Sequence, residues 1–550
     1  MSGYRYESRA FRATFERHFT YLTGFSRNVH RYADRPALSD AVTDRRWTYA
    51  ELGGEVDALA AGLVATGVRP REVIVFQLFN TPEFALLWLA AQRMGAIACP
   101  INFRLSPGET AHVLDDSTPA VYFFDAALVD TAWGALDIAE HRPDRVIVVD
   151  PEKTGATGPA ATSFAELADH RRDAPAWPHA TAYDETTRLY TSGTTGQPKG
   201  VSLNAAVEIL TAHDVIMHFP LTPEDKTLNM TPWFHRGGLY SGGPSPVFYV
   251  GAESVALRHF DAATVLDLVA DRGLSFLIGA PTNLALLSDE QEVRPRDLGT
   301  LRGIVTMGAP LERAACLRYQ EVLTPDIFNG YGTTEAFWNT FLRPSDLPEH
   351  AGSAGRACTD DDVAVVKVYP DRLTAPDDLA AKDGTEVGEV IVRSMKAGQS
   401  YVDQGEDQKG RFRAGWLYIG DLAVWDAQEY VTIVGRKDDM ILSGGENVYP
   451  MQVEEALNSC PAVQDSIVVG MPDEQWGERV VAYVVCADRV ASVQDLDRFC
   501  RAHPLLAQFK RPRAYRFVEE LPMTPTGKKM RFVLREQAPK DDAEGLFQKP

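Results

Sequence analysis

The chain has 550 residues, of which 45% are hydrophobic, which is enough to bury a large core and favours two or more domains. Its 76 acidic residues outnumber its 55 basic residues, so the formal net charge is −21. A charge of this sign excludes a general nucleic-acid binder and argues against binding to anionic membranes. Any anionic substrate must therefore meet a local concentration of positive charge.

The six cysteines are scattered without a CxxC pair, which predicts neither a disulfide framework nor a zinc site and favours a reducing compartment. The most apolar stretch, Phe84 to Ala91, falls far short of the ~20 residues that a membrane span requires. The first residues include Glu7 and Glu16 and lack the apolar core of a signal peptide. We therefore expect a cytoplasmic protein that binds no nucleic acid and no membrane. The sequence leaves the oligomeric state open, and a homodimer is one option.

Helix-like and strand-like segments alternate along the first part of the chain. Phe11, Phe15 and Phe19 are spaced to line one face of a helix, which we interpret as packing. The pattern then predicts a helix in LGGEVDALAAGLVATGV, a strand in VIVFQLF, and a helix followed by a strand in PEFALLWLAAQRMGAIACPI. This alternation indicates an α/β protein with mostly parallel sheets. The best domain boundary falls near Gly435.

A segment rich in glycine and hydroxyl groups, YTSGTTGQPKG, runs from Tyr190 to Gly200. Its glycines let backbone N–H groups approach an anion, while its hydroxyls and its lysine add donors and charge. It is not a Walker loop, because Gln197 and Pro198 separate the last loop residues from the lysine. The segment suits the β- and γ-phosphates of ATP, and a flexible surface turn is the alternative for such a loop taken alone. The candidate phosphate-binding residues are Thr191, Ser192, Gly193, Thr194, Thr195, Gly196 and Lys199.

Five motifs, within a stretch from Trp47 to Arg531, occur in an order that resembles the adenylate-forming enzymes. This family includes acyl- and aryl-CoA ligases, firefly-type luciferases and the adenylation domains of peptide synthetases. The resemblance implies a large N-terminal domain of α/β subdomains over residues 1–434, a hinge over 435–440, and a small, mobile α+β C-terminal domain over 441–550.

The motif NGYGTTEAF extends from Asn329 to Phe337. The resemblance implies that Tyr331 lies against adenine, Thr334 contacts the α-phosphate, and Glu335 holds Mg2+ through hard carboxylate oxygens. A lone glutamate would otherwise be a solvated surface group. The ATP-binding residues implied by this motif are Asn329, Gly330, Tyr331, Gly332, Thr333 and Thr334, and the catalytic residues are Thr334 and Glu335.

The upstream segment TMGAPL resembles a family segment whose backbone lies beside adenine and the acyl group, which implicates Gly308, Ala309 and Pro310. Met307 stands there in place of a small residue. It either trims the acyl pocket or fills a gap in the core.

The fourth motif comprises GWLYIGDLAVW and VGRKDDMILSGGENVYP. By resemblance, Asp421 accepts hydrogen bonds from the ribose, Arg436 binds the same sugar or phosphate, and Asp438 is the hinge residue. The loop of Ser443, Gly444, Gly445 and Glu446 resembles the one that lines the pantetheine tunnel, although an ordinary glycine turn is the alternative.

The C-terminal motif LPMTPTGKKMR makes Lys528 the predicted adenylation lysine, which binds ATP and stabilises the transition state. Residues 501–531 hold eight basic residues against two glutamates, a local reversal of charge that fits a polyanion. Lys510, Arg511 and Arg258 are candidate CoA contacts, with solvated surface as the alternative.

The segment TPWFHRGGLYSGG resembles the family's pocket-lining stretch, with His235 at the position that gates the acyl site. The segment offers no carboxylate at Trp233, Phe234 or His235 for an α-ammonium group, which disfavours an amino acid. Aromatic residues that frame a flat ring would favour an aromatic acid, and ordinary core packing is the alternative. The predicted acyl-site residues are Phe234, His235, Met307, Gly308 and Trp338. His235 is also a candidate catalytic residue, with a structural histidine as the alternative.

These motifs favour a ligase that uses ATP, Mg2+ and coenzyme A to convert a carboxylic acid first into an acyl adenylate and then into a thioester. The first alternative is an adenylating enzyme that loads the phosphopantetheine of a carrier protein. The second is a nucleotide-binding regulator without catalysis, against which Lys528, Glu335 and Asp421 argue. The sequence does not identify the acid or the pathway.

Overall fold

The computed structural model describes residues 7–43, 45–150, 155, 162–168, 177, 180–192, 198–369, 372–397, 411–443, 446–487, 491–503, 506–523 and 529–550. Its contacts divide the chain into two compact units. Unit 1 comprises Met1–Ala351, Ala357–Asp362 and Ser394–Gly410, and unit 2 comprises Gly352–Arg356, Val363–Arg393 and Arg411–Pro550. This division assigns residues 411–434 to unit 2, and the hinge at 435–440 stays a prediction.

Unit 1 contains a seven-stranded sheet that is parallel except at one edge, where its last two strands form an antiparallel hairpin. Its strands, in spatial order, are Thr162–Ser163, Arg145–Val149, Val121–Asp125, Val73–Gln77, Ile97–Pro100, Glu185–Ser192 and Pro198–Asn204. The central strands are buried along their whole length, as is typical of a sheet covered on both faces.

A second sheet of unit 1 is parallel over its central strands and antiparallel at the edges. The order of eight of its strands is Phe337–Leu342, Ile327–Thr333, Gly303–Met307, Phe276–Gly279, Lys226–Asn229, Glu253–Ala256, Pro36–Asp40 and Arg46–Thr48. The short strand Arg356–Ala357 contains one residue of each unit.

The helices of unit 1 cover its sheets, and several begin at sequence-encoded caps. Thr48 with Glu51, and Ser106 with Glu109, form capping boxes that satisfy the first backbone N–H groups. The helices are Ser8–His18, Tyr21–Arg31, Tyr49–Ala65, Pro82–Met94, Pro107–Ser117, Val129–Ile138, Phe164–Ala168, Ala205–His218, Arg236–Tyr240, Pro244–Val250, Ala262–Arg272, Pro281–Val293 and Arg313–Val322, with short 3-10 turns at Ala126–Leu128 and Pro344–Asp346.

Unit 2 holds two smaller sheets of mainly antiparallel strands, although the terminal residues Asp361, Asp362 and Ser394 of two strands belong to unit 1. The strands of the first are Asp361–Lys367, Gly388–Ser394, Trp416–Trp425 and Phe412–Arg413 in spatial order, and Val431–Arg436 also pairs with Trp416–Trp425. The strands of the second are Glu446–Val448, Ile441–Ser443, Gly477–Cys486 and Val463–Asp473, and Ala514–Phe517 also pairs with Gly477–Cys486. The helices are Pro450–Asn458, Val493–Ala502 and Arg531–Ala543, with 3-10 turns at Lys437–Asp439 and Gln508–Lys510.

The predicted helices and strands of the first hundred residues are confirmed as Tyr49–Ala65, Val73–Gln77, Pro82–Met94 and Ile97–Pro100. Phe11, Phe15 and Phe19 do share one side of the first helix and stack on one another. That helix buries none of its residues and Phe11 is 59% exposed, but Phe15 and Phe19 are half-buried. Phe19 meets the ring of His213 edge-on, so this end of the stack packs against helix Ala205–His218. No helix in the described ranges is both long and apolar enough to cross a membrane.

A buried carboxyl group, Glu208, lies between the parallel sheet and its covering helices. It accepts hydrogen bonds from four side chains, at 2.6 to 3.1 Å: Gln92, Thr186, Thr187 and Tyr240. Burial outweighs these donors and raises the pKa of Glu208 from its ordinary 4.5 to about 7. The folded protein therefore holds a proton on Glu208 at pH values where the unfolded chain has lost it.

We expect Glu208→Gln to flatten the dependence of stability on pH. Because the folded pKa is raised, the contribution of the neutral form is complete below pH 4.5 and is lost as the pH rises through about 7. In the parent this loss amounts to at most about 3 kcal/mol. Urea unfolding of both proteins at several values between pH 5 and 8 measures it, and an unchanged pH slope in the variant would contradict the assignment.

Candidate functional site

Two predicted nucleotide-binding segments lie at the ends of neighbouring parallel strands in unit 1. Strand Gly303–Met307 pairs with Ile327–Thr333 so that Met307 lies opposite Gly330. Gly308 follows at once with a φ of +84°, a left-handed conformation that favours glycine. The carboxyl ends of parallel strands are where α/β proteins bind ligands. The structure therefore brings together TMGAPL and NGYGTT, as a shared adenine and acyl site requires.

A chain of close contacts joins these strand ends to two further predicted acyl-site segments. The Sδ atom of Met307 lies against Gly237, where it would be 3.0 Å from an added Cβ. The indole of Trp338 lies against Gly330, with Nε1 2.6 Å from the position of an added Cβ. The four residues come from four different stretches of sequence. We refer to them below as the strand-end contacts: Gly237, Met307, Gly330 and Trp338.

His235 and Phe234 stand beside these contacts at the start of a short helix. His235 is the residue before helix Arg236–Tyr240, and its ring centroid lies 4.2 Å from that of Phe234. Phe234 is buried and meets the ring of Phe103 edge-on. Trp233 is fully buried against Phe84, so it belongs to the core.

Thr334 and Glu335 lie in the turn of an antiparallel hairpin between Ile327–Thr333 and Phe337–Leu342. The hairpin is tight, because a Cβ on Gly332 would overlap the carbonyl oxygen of Phe337. Phe337 closes the turn with a φ of +61°, which is unusual for an aromatic residue. The turn presents a carboxylate, a hard oxygen ligand, so its chemistry fits the Mg2+ ion that the family resemblance implies.

Two buried cations next to this turn escaped the sequence analysis. Arg236 donates to the carbonyl oxygen of Thr334, and burial lowers its pKa to about 10. Lys396 is only 2% exposed and places its Nζ 2.6 Å from Asp214 and 2.9 Å from Asp361. The only sequence signal was an arginine inside the pocket-lining segment, and Lys396 belongs to no motif.

One group of possible metal ligands occurs in the described part of the chain: Asp214, His218 and Cys358, whose ligand atoms lie within 4.8 Å of one another. The Lys396 ammonium forms an ion pair with Asp214 at this place. A positive charge already balances the carboxylate, so the group offers a poor site for a metal ion.

Part of the predicted phosphate site lies outside the described residues, namely Gly193, Thr194, Thr195 and Gly196. Thr191 pairs with Lys199, and Ser192 with Pro198, across the antiparallel hairpin that flanks the loop. Lys528, Gly444 and Gly445 also lie outside the described residues. The roles of all these residues stay predictions.

In unit 2, the predicted ribose-binding residues are neighbours. Asp421 and Arg436 are cross-strand partners, with 3.3 Å between Arg436 Nη1 and Asp421 Oδ1. Asp438 lies in the 3-10 turn Lys437–Asp439, and its carbonyl oxygen accepts a hydrogen bond from Arg535. Ser443 pairs with Glu446 across a short hairpin. The roles of these residues in ribose binding, hinge motion and pantetheine binding stay predictions.

The candidate CoA-binding cations form contacts within their own units. Arg258 is paired with Asp125 through two hydrogen bonds of 2.6 and 2.8 Å. Lys510 donates to Gln452, and Arg511 to Asp497. Arg258 and Arg511 thus have a structural partner that the sequence did not reveal, and contact of the three residues with CoA stays a prediction.

Two family models match the chain: AMP-binding enzyme over residues 25–402, and AMP-binding enzyme C-terminal domain over residues 452–528. The chain is 32% identical to long-chain-fatty-acid–CoA ligase FadD13 of Mycobacterium tuberculosis, over 91% of this chain and 95% of that protein. It is 30% identical to indoleacetate–CoA ligase of Aromatoleum aromaticum, over 88% of this chain and 92% of that protein. The crystal structure of the anthranilate CoA ligase AuaEII in complex with anthranoyl-AMP superposes with a TM-score of 0.85 at 27% identity, over 96% of this chain and 99% of that chain.

This similarity and the C-terminal family match confirm the predicted fold class, a large N-terminal α/β domain followed by a smaller C-terminal domain.

We expect Gly332→Ala to disrupt the hairpin that carries Thr334 and Glu335, because the added methyl group has no room beside the Phe337 carbonyl. The free energy of unfolding should fall by about 1–3 kcal/mol, the usual range for overpacking. Chemical unfolding measures this. Gly108→Ala is the matched control, since its added Cβ meets nothing within 4 Å. Equal stabilities of the two variants would contradict the tight crossing.

Proposed function

Because the chain belongs to the AMP-binding enzyme family and is an AMP-forming acid–thiol ligase, we propose that it activates an aromatic carboxylic acid with ATP and transfers the acyl group to coenzyme A. The observation that supports this choice of acid is the set of strand-end contacts. Relatives act on both types of acid, as the names long-chain-fatty-acid–CoA ligase and anthranilate CoA ligase say, so the substrate must be argued from this chain's own residues.

The side chains around the strand ends favour a flat, compact acid. Met307 and Trp338 are large residues that occupy the space beside Gly237 and Gly330. A small residue at 307 would leave room for a longer acyl chain, which the methionine side chain restricts. The aromatic rings of Phe234 and Trp338 and the polarizable sulfur of Met307 provide the kinds of contact that an aromatic ring prefers.

Charge at the site supports a simple carboxylic acid over an amino acid. The segment from Thr231 to Gly238 contains no carboxylate that could pair with an α-ammonium group. It contains instead the buried guanidinium of Arg236. An ammonium group near this cation would be repelled and would lack a counter-ion, which is costly in a desolvated site.

In the first half-reaction, a carboxylate oxygen attacks the α-phosphorus of ATP, the bond to the bridging oxygen breaks, and pyrophosphate leaves. Thr334 would donate a hydrogen bond to the α-phosphate from the turn, and Lys528 is the predicted cation for the charge that develops there. Glu335 would hold Mg2+, which when bound neutralises charge on the triphosphate.

In the second half-reaction, the CoA sulfur attacks the acyl carbon, and AMP leaves as the anhydride bond breaks. The family resemblance assigns to Asp438 a change of backbone angles that reorients the C-terminal domain between the steps. Ser443 and Glu446 would then flank the route of the pantetheine arm. Asp421 and Arg436 hold the nucleoside in both steps.

A screen of pyrophosphate release across benzoic, naphthoic, cinnamic and fatty acids, with free CoA or a phosphopantetheinylated carrier protein as acceptor, tests the proposal. We expect the highest kcat/KM with an aromatic acid and CoA. Highest activity with the carrier protein would establish the first alternative function. Lack of pyrophosphate exchange with every acid would support the non-catalytic regulator.

We expect Lys528→Ala to lower acyl-adenylate formation by at least about 100-fold, because it removes a charge that stabilises the transition state. Thioester formation from supplied acyl adenylate should change little, since the lysine is not needed after pyrophosphate has left. Pyrophosphate exchange and thioester assays measure the two steps separately. Lys540→Ala, an exposed lysine of the same unit, is the control for the lost charge. Equal loss in both steps would refute this division of roles.

We expect Trp338→Ala to shift the preference towards longer acids, because the indole that lies against Gly330 is removed. The ratio of kcat/KM for a medium-chain fatty acid to that for benzoic acid should rise by about tenfold, the typical effect of reshaping an apolar pocket. The ratio corrects for any general loss of activity. An unchanged ratio would place Trp338 in the core and away from the acyl group.

A further inference from the structure

We propose that Lys396 is a positioning residue for adenylation: its buried ammonium group holds the turn of Thr334 and Glu335 in the geometry that the reaction requires. The inference rests on the proposed function, because it takes Glu335 as a Mg2+ ligand. Whether Lys396 holds the turn can also be measured without any catalysis.

Lys396 joins two carboxylates to the backbone just after the turn. Its Nζ atom lies 2.6 Å from Asp214, 2.9 Å from Asp361 and 2.7 Å from the carbonyl oxygen of Trp338. These three partners satisfy the three donors of an ammonium group. Burial alone would lower the pKa of Lys396, but the neighbouring acidic groups outweigh it and raise the pKa, so the group stays charged.

Two carbonyl groups within the turn also accept hydrogen bonds from buried side chains. Arg236 donates to the carbonyl oxygen of Thr334 and, at 3.1 Å, to that of Lys396. Asn339 donates to the carbonyl oxygen of Ala336 and to Asp361. Lys396 is therefore linked through its side chain and its backbone to both sides of the Glu335 turn.

The turn needs such support because of Phe337. A φ of +61° is unfavourable for a residue with a side chain, and such a conformation persists only where the surroundings enforce it. The two donors act on either side of this residue, at Thr334 and at Trp338. Without them, Phe337 is free to relax to an ordinary conformation and to carry the Glu335 carboxylate with it.

The charge network continues to a helix, which gives it a rigid base. Asp214 lies 3.0 Å from Nε2 of His218, and Arg343 lies 2.5 Å from Nδ1 of the same ring. Asp214 and His218 both belong to helix Ala205–His218. Buried ion pairs are often no more stabilising than apolar residues of the same size. Because these ion pairs surround the turn, their role is to fix the geometry of the turn and not to add stability.

The test uses the charge-balanced double variant Lys396→Met/Asp361→Asn, because the single variant would leave two buried carboxylates with too little positive charge to fold stably. The matched control is Arg296→Met/Asp267→Asn. Arg296 is a mostly buried arginine of the same unit, paired with Asp267 at 2.9 Å. It lies outside the predicted site and Asp267 is 38% exposed, so the control removes an ion pair of the same unit without touching the turn.

Two measurements follow on the full-length protein. Hydrogen–deuterium exchange of peptides that cover residues 333–340 reports on the turn in the absence of substrate. Pyrophosphate exchange at increasing Mg2+ reports on its function. In the Lys396 variant we expect the amides to exchange roughly tenfold faster and half-maximal activity to need roughly tenfold more Mg2+, as after the loss of a hydrogen bond to a charged group. The KM for the acid should change less than the Mg2+ requirement, and the control should match the parent in both measurements.

Unchanged exchange in residues 333–340 of the Lys396 variant would overturn the proposal. Faster exchange with an unchanged Mg2+ requirement would overturn its functional part and leave Lys396 as a structural residue only. An equal effect in the control would also overturn it, since the cause would then be general destabilisation. A parent that lacks pyrophosphate exchange with all acids would refute the proposed function, and the hydrogen exchange data would still decide whether Lys396 holds the turn.

Discussion

The close crossing of two antiparallel strands at Gly332 is the constraint on which the rest of the site depends. A side chain at this position would overlap the backbone of Phe337, so only glycine allows the strands to approach this closely. The crossing sets the direction of the turn that carries Thr334 and Glu335. It also brings Trp338, a proposed acyl-site residue, against Gly330, which belongs to the proposed nucleotide-binding motif.

The turn has an unfavourable backbone conformation and is held by two buried, positively charged side chains. Phe337 adopts a positive φ while Arg236 and Lys396 donate to carbonyl groups on either side of it. Such strain is typical of functional sites, where the surrounding structure holds a residue in a conformation that it would not adopt alone. The free-energy cost is offset by the large cores of the two sheets in the same unit. The strained turn thereby holds Thr334 and Glu335 in fixed positions.

The proposed acyl side of the site is built from two large side chains. Met307 lies against Gly237 and Trp338 lies against Gly330, so each large side chain packs where the neighbouring segment has no side chain. This complementarity narrows the space at the strand ends without disturbing the sheet. Relatives named for fatty acids and for aromatic acids match nearly the whole chain, so the fold by itself does not select the acid.

The sequence by itself determined the family, the α/β class and the motif residues, because these depend on local features: hydrophobic periodicity, capping residues, and glycines at fixed spacing. The strand in VIVFQLF and the helix in PEFALLWLAAQRM followed from such patterns. Only the tertiary structure decided which distant groups pair. Asp125 and Arg258 are 133 residues apart in the chain, and Asp214 and Lys396 are 182 apart. A charged residue has no periodicity that reveals its partner, and its burial depends on how the whole sheet folds around it. For the same reason the pattern of Phe11, Phe15 and Phe19 showed that the rings share a face, while only the folded chain showed that Phe11 is exposed and that Phe19 meets His213.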